Sequence, residues 1–228
     1  MTQETTMDIQ RAMKQRHSVR SYTDRPIEGA TLQTLKEEIV ACNRESGLHI
    51  QLVQQEPKAF DSFMAHYGKF NGVQNYLVLV GKKSPSLDET CGYYGERLVL
   101  KAQQLGLNTC WVAMTYRKVP GAFTVERGEK LTVVIAIGYG RTQGVAHKSK
   151  TAAEVSSQSG SAPEWFRAGV EAALLAPTAM NQQKFTLHYE NGKVTAKAGR
   201  GFYTKLDLGI VRYHFECGSG KPHDIWNA

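Results

Sequence analysis

Residues 171–185, Glu-Ala-Ala-Leu-Leu-Ala-Pro-Thr-Ala-Met-Asn-Gln-Gln-Lys-Phe, restrict the fold more than any other stretch of the chain. Ala and Leu build a helix, and Pro177 stops it, because the residue before a proline is driven out of helical geometry. The polar turn that follows carries Thr178, Asn181 and Gln183, and Phe185 opens an alternating segment, 185–189, that reads as a strand. A helix that ends at such a turn just before a sheet sets a hydroxyl, an amide and free backbone groups at the mouth of a core. A polar ligand can be gripped there, although the same residue types also suit an ordinary helix-to-strand connection.

The 228 residues can bury a large core, and 41% hydrophobic with 21% charged residues is the balance of a soluble globular protein. The longest apolar runs fall short of a membrane span, and residues 1–5 lack the basic and apolar regions of a secretory signal, so a cytoplasmic protein without membrane partners is expected. The formal charge of +7 is spread along the chain. Its densest clusters, Lys82-Lys83 and Lys148-Ser149-Lys150, are too short for a nucleic-acid tract, and no aromatic-basic motif or recognition helix accompanies them. Cys42, Cys91, Cys110 and Cys217 are scattered without a C-x-x-C pair, which argues for buried thiols and against a zinc site or a disulfide framework.

Periodicity predicts helices over 6–15, 32–42, 59–67, 87–105, 164–175 and 205–216, and strands over 50–53, 76–80, 109–112, 131–137, 185–189 and 193–198. Phe60, Phe63, Met64 and Tyr67 form an aromatic stripe expected in the core, or as a lid over a pocket. The run 76–80 is apolar throughout and reads as a strand buried on both faces, and Asn191-Gly192 marks a hairpin. Residues 141–162 turn polar and Gly-rich, as a surface linker would. Setting Ala41 against Ala176 superposes two helix-to-strand patterns, a faint internal repeat. In the segment 16–20, alternation puts Arg16, Ser18 and Arg20 on one side, two fixed cations and a hydroxyl that suit an anion.

Other chemistry is not encoded. Gly138-Tyr139-Gly140 follows a strand, but the next glycine, Gly144, falls one place too late for a dinucleotide fingerprint. The seven histidines form no H-E-x-x-H pair, and there is neither a G-x-S-x-G elbow nor a Walker sequence.

The run 176–183 resembles the Ala-Pro-Ser-x-x-Asn-x-Gln signature of the FMN-dependent nitroreductase family, with Thr178 in place of Ser, and 16–22 resembles that family's opening Arg-Arg-Ser-x-Arg-x-Phe motif. Residues 104–111, 134–140 and 147–150 fit the same family. The resemblance implies an α+β nitroreductase-like fold, a mixed or antiparallel central sheet flanked by helices. It also implies an oxidoreductase that passes hydride from NADH or NADPH through FMN to a nitroaromatic, quinone or similar small acceptor. An FMN-binding protein without turnover is the alternative, since Lys184 and Phe185 stand where the family has Pro-Trp.

Family members usually carry the proline turn early, where this chain has the dissimilar residues 41–46. The late position resembles the branch in which one chain is a pseudo-dimer: residues 1–140 as one half, 141–162 as linker and 163–228 as a second half completing the flavin site. A monomer or a weak homodimer is then expected. By motif correspondence, Arg16, Lys148 and Lys150 would hold the FMN phosphate, with His17 and Ser18 beside them and Arg20 toward the N1/O2 edge of the ring. Pro177, Thr178, Asn181 and Gln183 would come from the other half, and the backbone at Ala113 and Met114 would face N5. No catalytic side chain and no metal are implied, because the cofactor carries the chemistry.

Overall fold

A computed structural model describes residues 7–227, so Thr6, the first residue of the expected N-terminal helix, lies outside the described residues. That helix is α1 (Ile9–Gln15), capped by the Asp8 side chain, which accepts from the backbone N–H of Arg11. The main sheet has the order β1-β2-β4-β3, with β1 (Gln51–Val53), β2 (Asn75–Lys82), β3 (Asn108–Val112) and β4 (Glu129–Gly138). Every neighbouring pair in it is antiparallel. A smaller sheet joins β5 (Ser156–Gln158), parallel, to the hairpin β6 (Phe185–Glu190) and β7 (Lys193–Ala198). The fold is thus the expected α+β architecture with a largely antiparallel sheet.

Alternation along β2 separates two cores. Leu77 and Leu79 face one side, with α2 (Gly29–Ser46), α4 (Leu87–Gln104), α6 (Glu164–Ala173) and α7 (Thr204–Ser219). Tyr76, Val78 and Val80 face the other, with Phe60, Phe70 and Val112. The strand is buried on both faces, as its unbroken apolar run predicts.

The centre of the larger core is the crossing of α4 and α7. A Cβ on Gly92 would collide with the carbonyl of Leu206, and one on Gly209 with the carbonyl of Glu89, so the two backbones touch there and only glycine fits. Around this crossing the order helix, strand, antiparallel strand, helix occurs twice, as α2-β1-β2-α4, with residues 54–74 inserted between its two strands, and as α6-β6-β7-α7.

Two expectations need correction. The stripe at 59–67 is not one helix: a 3-10 turn, Pro57–Ala59, is followed by a break and by the five-residue α3 (Phe63–Tyr67), started by Ser62. The break shifts the helical phase, so Phe60 is core while Phe63 and Tyr67 are 83% and 76% exposed. Residues 141–162 are also more than linker. Thr151 and Glu154 form a capping box that starts α5 (Ala152–Val155), β5 follows at once, and Val155 and Ala162 are buried.

Candidate functional site

Segment 16–22 is extended and pinned by single bridges, Ser18 to Thr109 and Tyr22 to Gly140, without forming a regular strand. The buried Tyr22 hydroxyl donates to the carbonyl of Val19 at 2.6 Å and fixes the bend. Val19 turns into the core, while Arg16, Ser18 and Arg20 line a cleft on the other side, as the alternation predicts; His17 lines it too. The cleft has two connected hollows that share Ser18, Arg20, Pro177, Thr178 and Met180. One, of about 570 Å³, reaches inward to residues 110–113 of the β3 end and to Tyr203 and Asp207. The other, of about 770 Å³, runs outward past Arg16, His147 and Asn181. Both ends of one chain therefore build one cleft.

Arg16 is only 4% exposed, and its buried Nε has no hydrogen-bond partner. The nearest carboxylate, Glu96 Oε1, stands 3.8 Å away, too far for a good hydrogen bond. Burial lowers the Arg16 pKa and Glu96 partly restores it, yet a guanidinium keeps its charge in proteins. Glu96 is fully buried, accepts the Trp111 indole N–H at 2.9 Å, and faces His214 Nε2 at 2.9 Å. His214 Nδ1 lies 3.1 Å from the carbonyl of Ala172, so the ring bridges α6 and Glu96 of α4. Sequence reasoning missed Glu96 and His214: they are remote in the chain, and a lone Glu or His in a helix carries no pattern.

The turn at 176–183 is a strained loop. Met180, Asn181 and Gln183 all have positive φ, at 53°, 53° and 45°, in the left-handed region that non-glycine residues adopt at a cost of about 1 kcal/mol or more each. Gln183, buried at 3%, holds it: its Nε2 donates to the carbonyl of Lys148 and to Asn181 Oδ1, both at 2.9 Å, and its Oε1 accepts from Lys150 N at 2.8 Å. Its own backbone N–H donates to Thr178 Oγ1 at 3.0 Å. Lys150 Nζ donates to the carbonyl of Gln183 at 3.0 Å, and Asn181 Nδ2 donates to that of Lys148 at 2.8 Å.

The structure therefore brings Arg16, His17, Ser18, Arg20, Ala113, Pro177, Thr178 and Asn181 to the cleft. It does not bring Lys148, Lys150, Met114 or Gln183 to its lining. The lysines and Gln183 clasp the turn, and Met114, 68% exposed, is not among the residues lining the cleft.

Asp207 was not foreseen. It sits in the first turn of α7 and lines the inner hollow, where it accepts from Ala179 N at 2.9 Å and Gln182 Nε2 at 2.8 Å. Burial pushes its carboxyl up to about 6, against the pull of those two donors. Cys110 lines the same hollow as a buried thiol whose pKa is raised by desolvation, so it is not an activated nucleophile.

These features define an α+β protein with a polar, cationic cleft closed by two distant segments of one chain. Residues 8–219 match the family described as "Putative TM nitroreductase", and the chain belongs to that family. Among solved structures it is similar to a "putative nitroreductase" from Thermotoga maritima, with 22% identity and a TM-score of 0.68 over 96% of this chain and 86% of that one. It is also similar to nitroreductase A from Vibrio parahaemolyticus, with 15% identity and a TM-score of 0.51 over 63% and 73%. A third neighbour, from Desulfovibrio desulfuricans and described in complex with FMN, has 15% identity and a TM-score of 0.48 over 66% and 96%. No curated protein matches the chain in sequence. Among the described residues no helix is long and apolar enough to cross a membrane.

Proposed function

We propose that the chain is an FMN-dependent oxidoreductase that takes hydride from NADH or NADPH and passes it to a small acceptor such as a nitroaromatic or a quinone. The observation that carries this reading is Arg16, a buried cation on the cleft wall with an unpaired Nε, which the protein leaves short of partners and an anionic ligand would supply. The donor set fits FMN. Arg16 and His17 would hold the phosphate end, Thr178 and Asn181 the ribityl chain, and Arg20 and the β3 end the ring. When bound, FMN would supply the hydride chemistry. The residues do the rest: Arg20 places a fixed positive charge at the ring end, the strained turn presents polar groups in one orientation, and Trp111 and Tyr203 exclude water from the inner hollow.

Residues 1–140 and 163–228 would act as the two halves of a pseudo-dimer that completes the site within one chain. Purified protein should show flavin absorbance, oxidise NAD(P)H with a nitroaromatic acceptor, and keep about one FMN per chain when diluted to monomer. A colourless protein that gains no spectrum with added FMN would end this reading. A yellow protein without turnover would leave only flavin binding.

A further inference from the structure

Contacts at the α4–α7 crossing are reciprocal. Gly92 faces the carbonyl of Leu206 and the backbone nitrogen of Ile210, while Gly209 faces the carbonyl of Glu89 and the backbone nitrogen of Tyr93. This is the pattern of a local two-fold axis that exchanges Gly92 with Gly209, Glu89 with Leu206, and Tyr93 with Ile210. In α7, the residues lining the inner hollow of the cleft are Tyr203, Leu206, Asp207 and Ile210. The same exchange carries them onto Ser86, Glu89, Thr90 and Tyr93 of α4, and all four line a second cleft, of about 1200 Å³, elsewhere on the molecule. Glu45, at the end of α2, stands in that cleft where the superposed helix ends place Met180 in the first.

The two clefts differ in charge. In the first, Arg16 lacks a hydrogen-bonded carboxylate. In the second, both arginines are already paired: Arg97 hydrogen-bonds Glu38 and Glu45, each at 2.6 Å, and Arg212 forms an ion pair with Glu89 at 2.7 Å. A phosphate dianion would find its cations neutralised and carboxylates facing it. Two features nevertheless suit a ring. Tyr93 and Tyr94 form an edge-to-face pair, 5.1 Å between centroids, on the wall of the cleft. The Nε of Arg212, whose guanidinium lies over Trp226, is buried with no hydrogen-bond partner, a donor left for a neutral oxygen acceptor.

We propose that this second cleft, the pseudo-symmetric mate of the first, binds an uncharged planar ring system bearing carbonyl oxygens and no phosphate. The ligand class, though not the symmetry, rests on the flavin reading of the first cleft. Riboflavin, which has the ring and ribityl chain of FMN but not its phosphate, is the probe.

Protein saturated with FMN should take up one riboflavin per chain in equilibrium dialysis, while excess FMN gives no second equivalent. Thr90→Trp, which fills the second cleft from a half-buried position, should weaken riboflavin at least tenfold and leave bound FMN unchanged. Arg212→Lys keeps a cation for Glu89 and loses the Nε donor, and should weaken riboflavin about tenfold even if Thr90→Trp fails to fold. No riboflavin uptake beyond FMN, or uptake indifferent to both substitutions, would overturn the proposal, and a second FMN bound as tightly as the first would overturn the charge argument. If the protein holds no FMN at all, the flavin reading of the first cleft fails, while riboflavin uptake sensitive to Thr90→Trp would still uphold the second cleft.

Discussion

Residues 16–20 and residues 147–150 both bring basic side chains to the turn at 176–183, yet they use them differently. Arg16 is buried, lines the cleft and keeps an unpaired Nε. Lys148 is exposed and offers the turn only its backbone carbonyl, and Lys150 spends its Nζ on the carbonyl of Gln183. The first segment holds charge in reserve for a ligand, whereas the second holds the loop that the ligand would touch. Density of positive charge in the sequence therefore did not separate binding from support. The separating quantity is how many of a cation's donors the protein itself satisfies.

The largest expected effect comes from removing the reserved charge. Charge-assisted hydrogen bonds contribute roughly 1.5 to 3 kcal/mol each, so losing two of them in Arg16→Ala should weaken FMN by about two orders of magnitude or more, read by titration of flavin fluorescence. Far-UV circular dichroism should stay unchanged, because His214 and the Trp111 indole still hydrogen-bond the Glu96 carboxyl. Affinity within threefold of the native protein would erase the distinction between the two segments.

Next comes the support. Gln183→Ala removes from a buried position three side-chain hydrogen bonds of 2.8–2.9 Å and a longer one of 3.4 Å, and about 1 kcal/mol for each of the short three makes a loss of about 3 kcal/mol. Melting should fall by about 6 to 12 °C for a chain of this size. FMN affinity should fall with it, by about tenfold, since the released turn loses its left-handed conformation. A melting point unchanged by the substitution would show that the clasp does not hold the loop.

Asp207 holds the same turn from the other side, and its effect depends on pH. Its folded pKa is raised to about 6 from 3.8, so the folded state binds this proton more tightly than the unfolded chain. The resulting stability is fully present below 3.8 and is lost as pH rises through 6. Roughly two pKa units correspond to at most about 3 kcal/mol, and about 2 kcal/mol is expected given the solvent that reaches the cleft. Asp207→Asn abolishes this slope, so the variant should gain about 2 kcal/mol on the native protein between pH 4 and pH 7 in urea denaturation. Parallel pH profiles would remove Asp207 as the titrating group.

Much of this was legible in the sequence where a local rule decides. α6 ended before Pro177, at Ala173 and two residues short of the expected end, Asn191-Gly192 made the hairpin, and alternation placed Arg16, Ser18 and Arg20 on one wall. What stayed hidden depends on distance in the chain or on a residue acting against type. Nothing in Met180 marks it for a left-handed conformation, which the surrounding hydrogen bonds impose. Glu96 and His214 become one unit only after α4 and α7 cross, and Asp207 looks like an ordinary first-turn acid until the turn folds over it. The capping box at Thr151 and Glu154 was readable, but the polar composition around it concealed β5.

The smallest effect tests the comparison most directly. Lys148 matches the family's basic position and was expected to grip phosphate, but its side chain is exposed and lines neither hollow. Its contribution to the loop runs through the backbone carbonyl, which accepts from Asn181 and Gln183 and survives substitution. Exposed substitutions away from caps and networks usually change stability by less than about 0.5 kcal/mol. A lone exposed cation near a bound dianion adds only a screened attraction that weakens as salt is raised. Lys148→Ala should therefore leave FMN affinity within about twofold at moderate salt, against the hundredfold loss from Arg16→Ala. A tenfold loss would mean that the lysine swings onto the phosphate when flavin binds, and the two basic segments would then share one task.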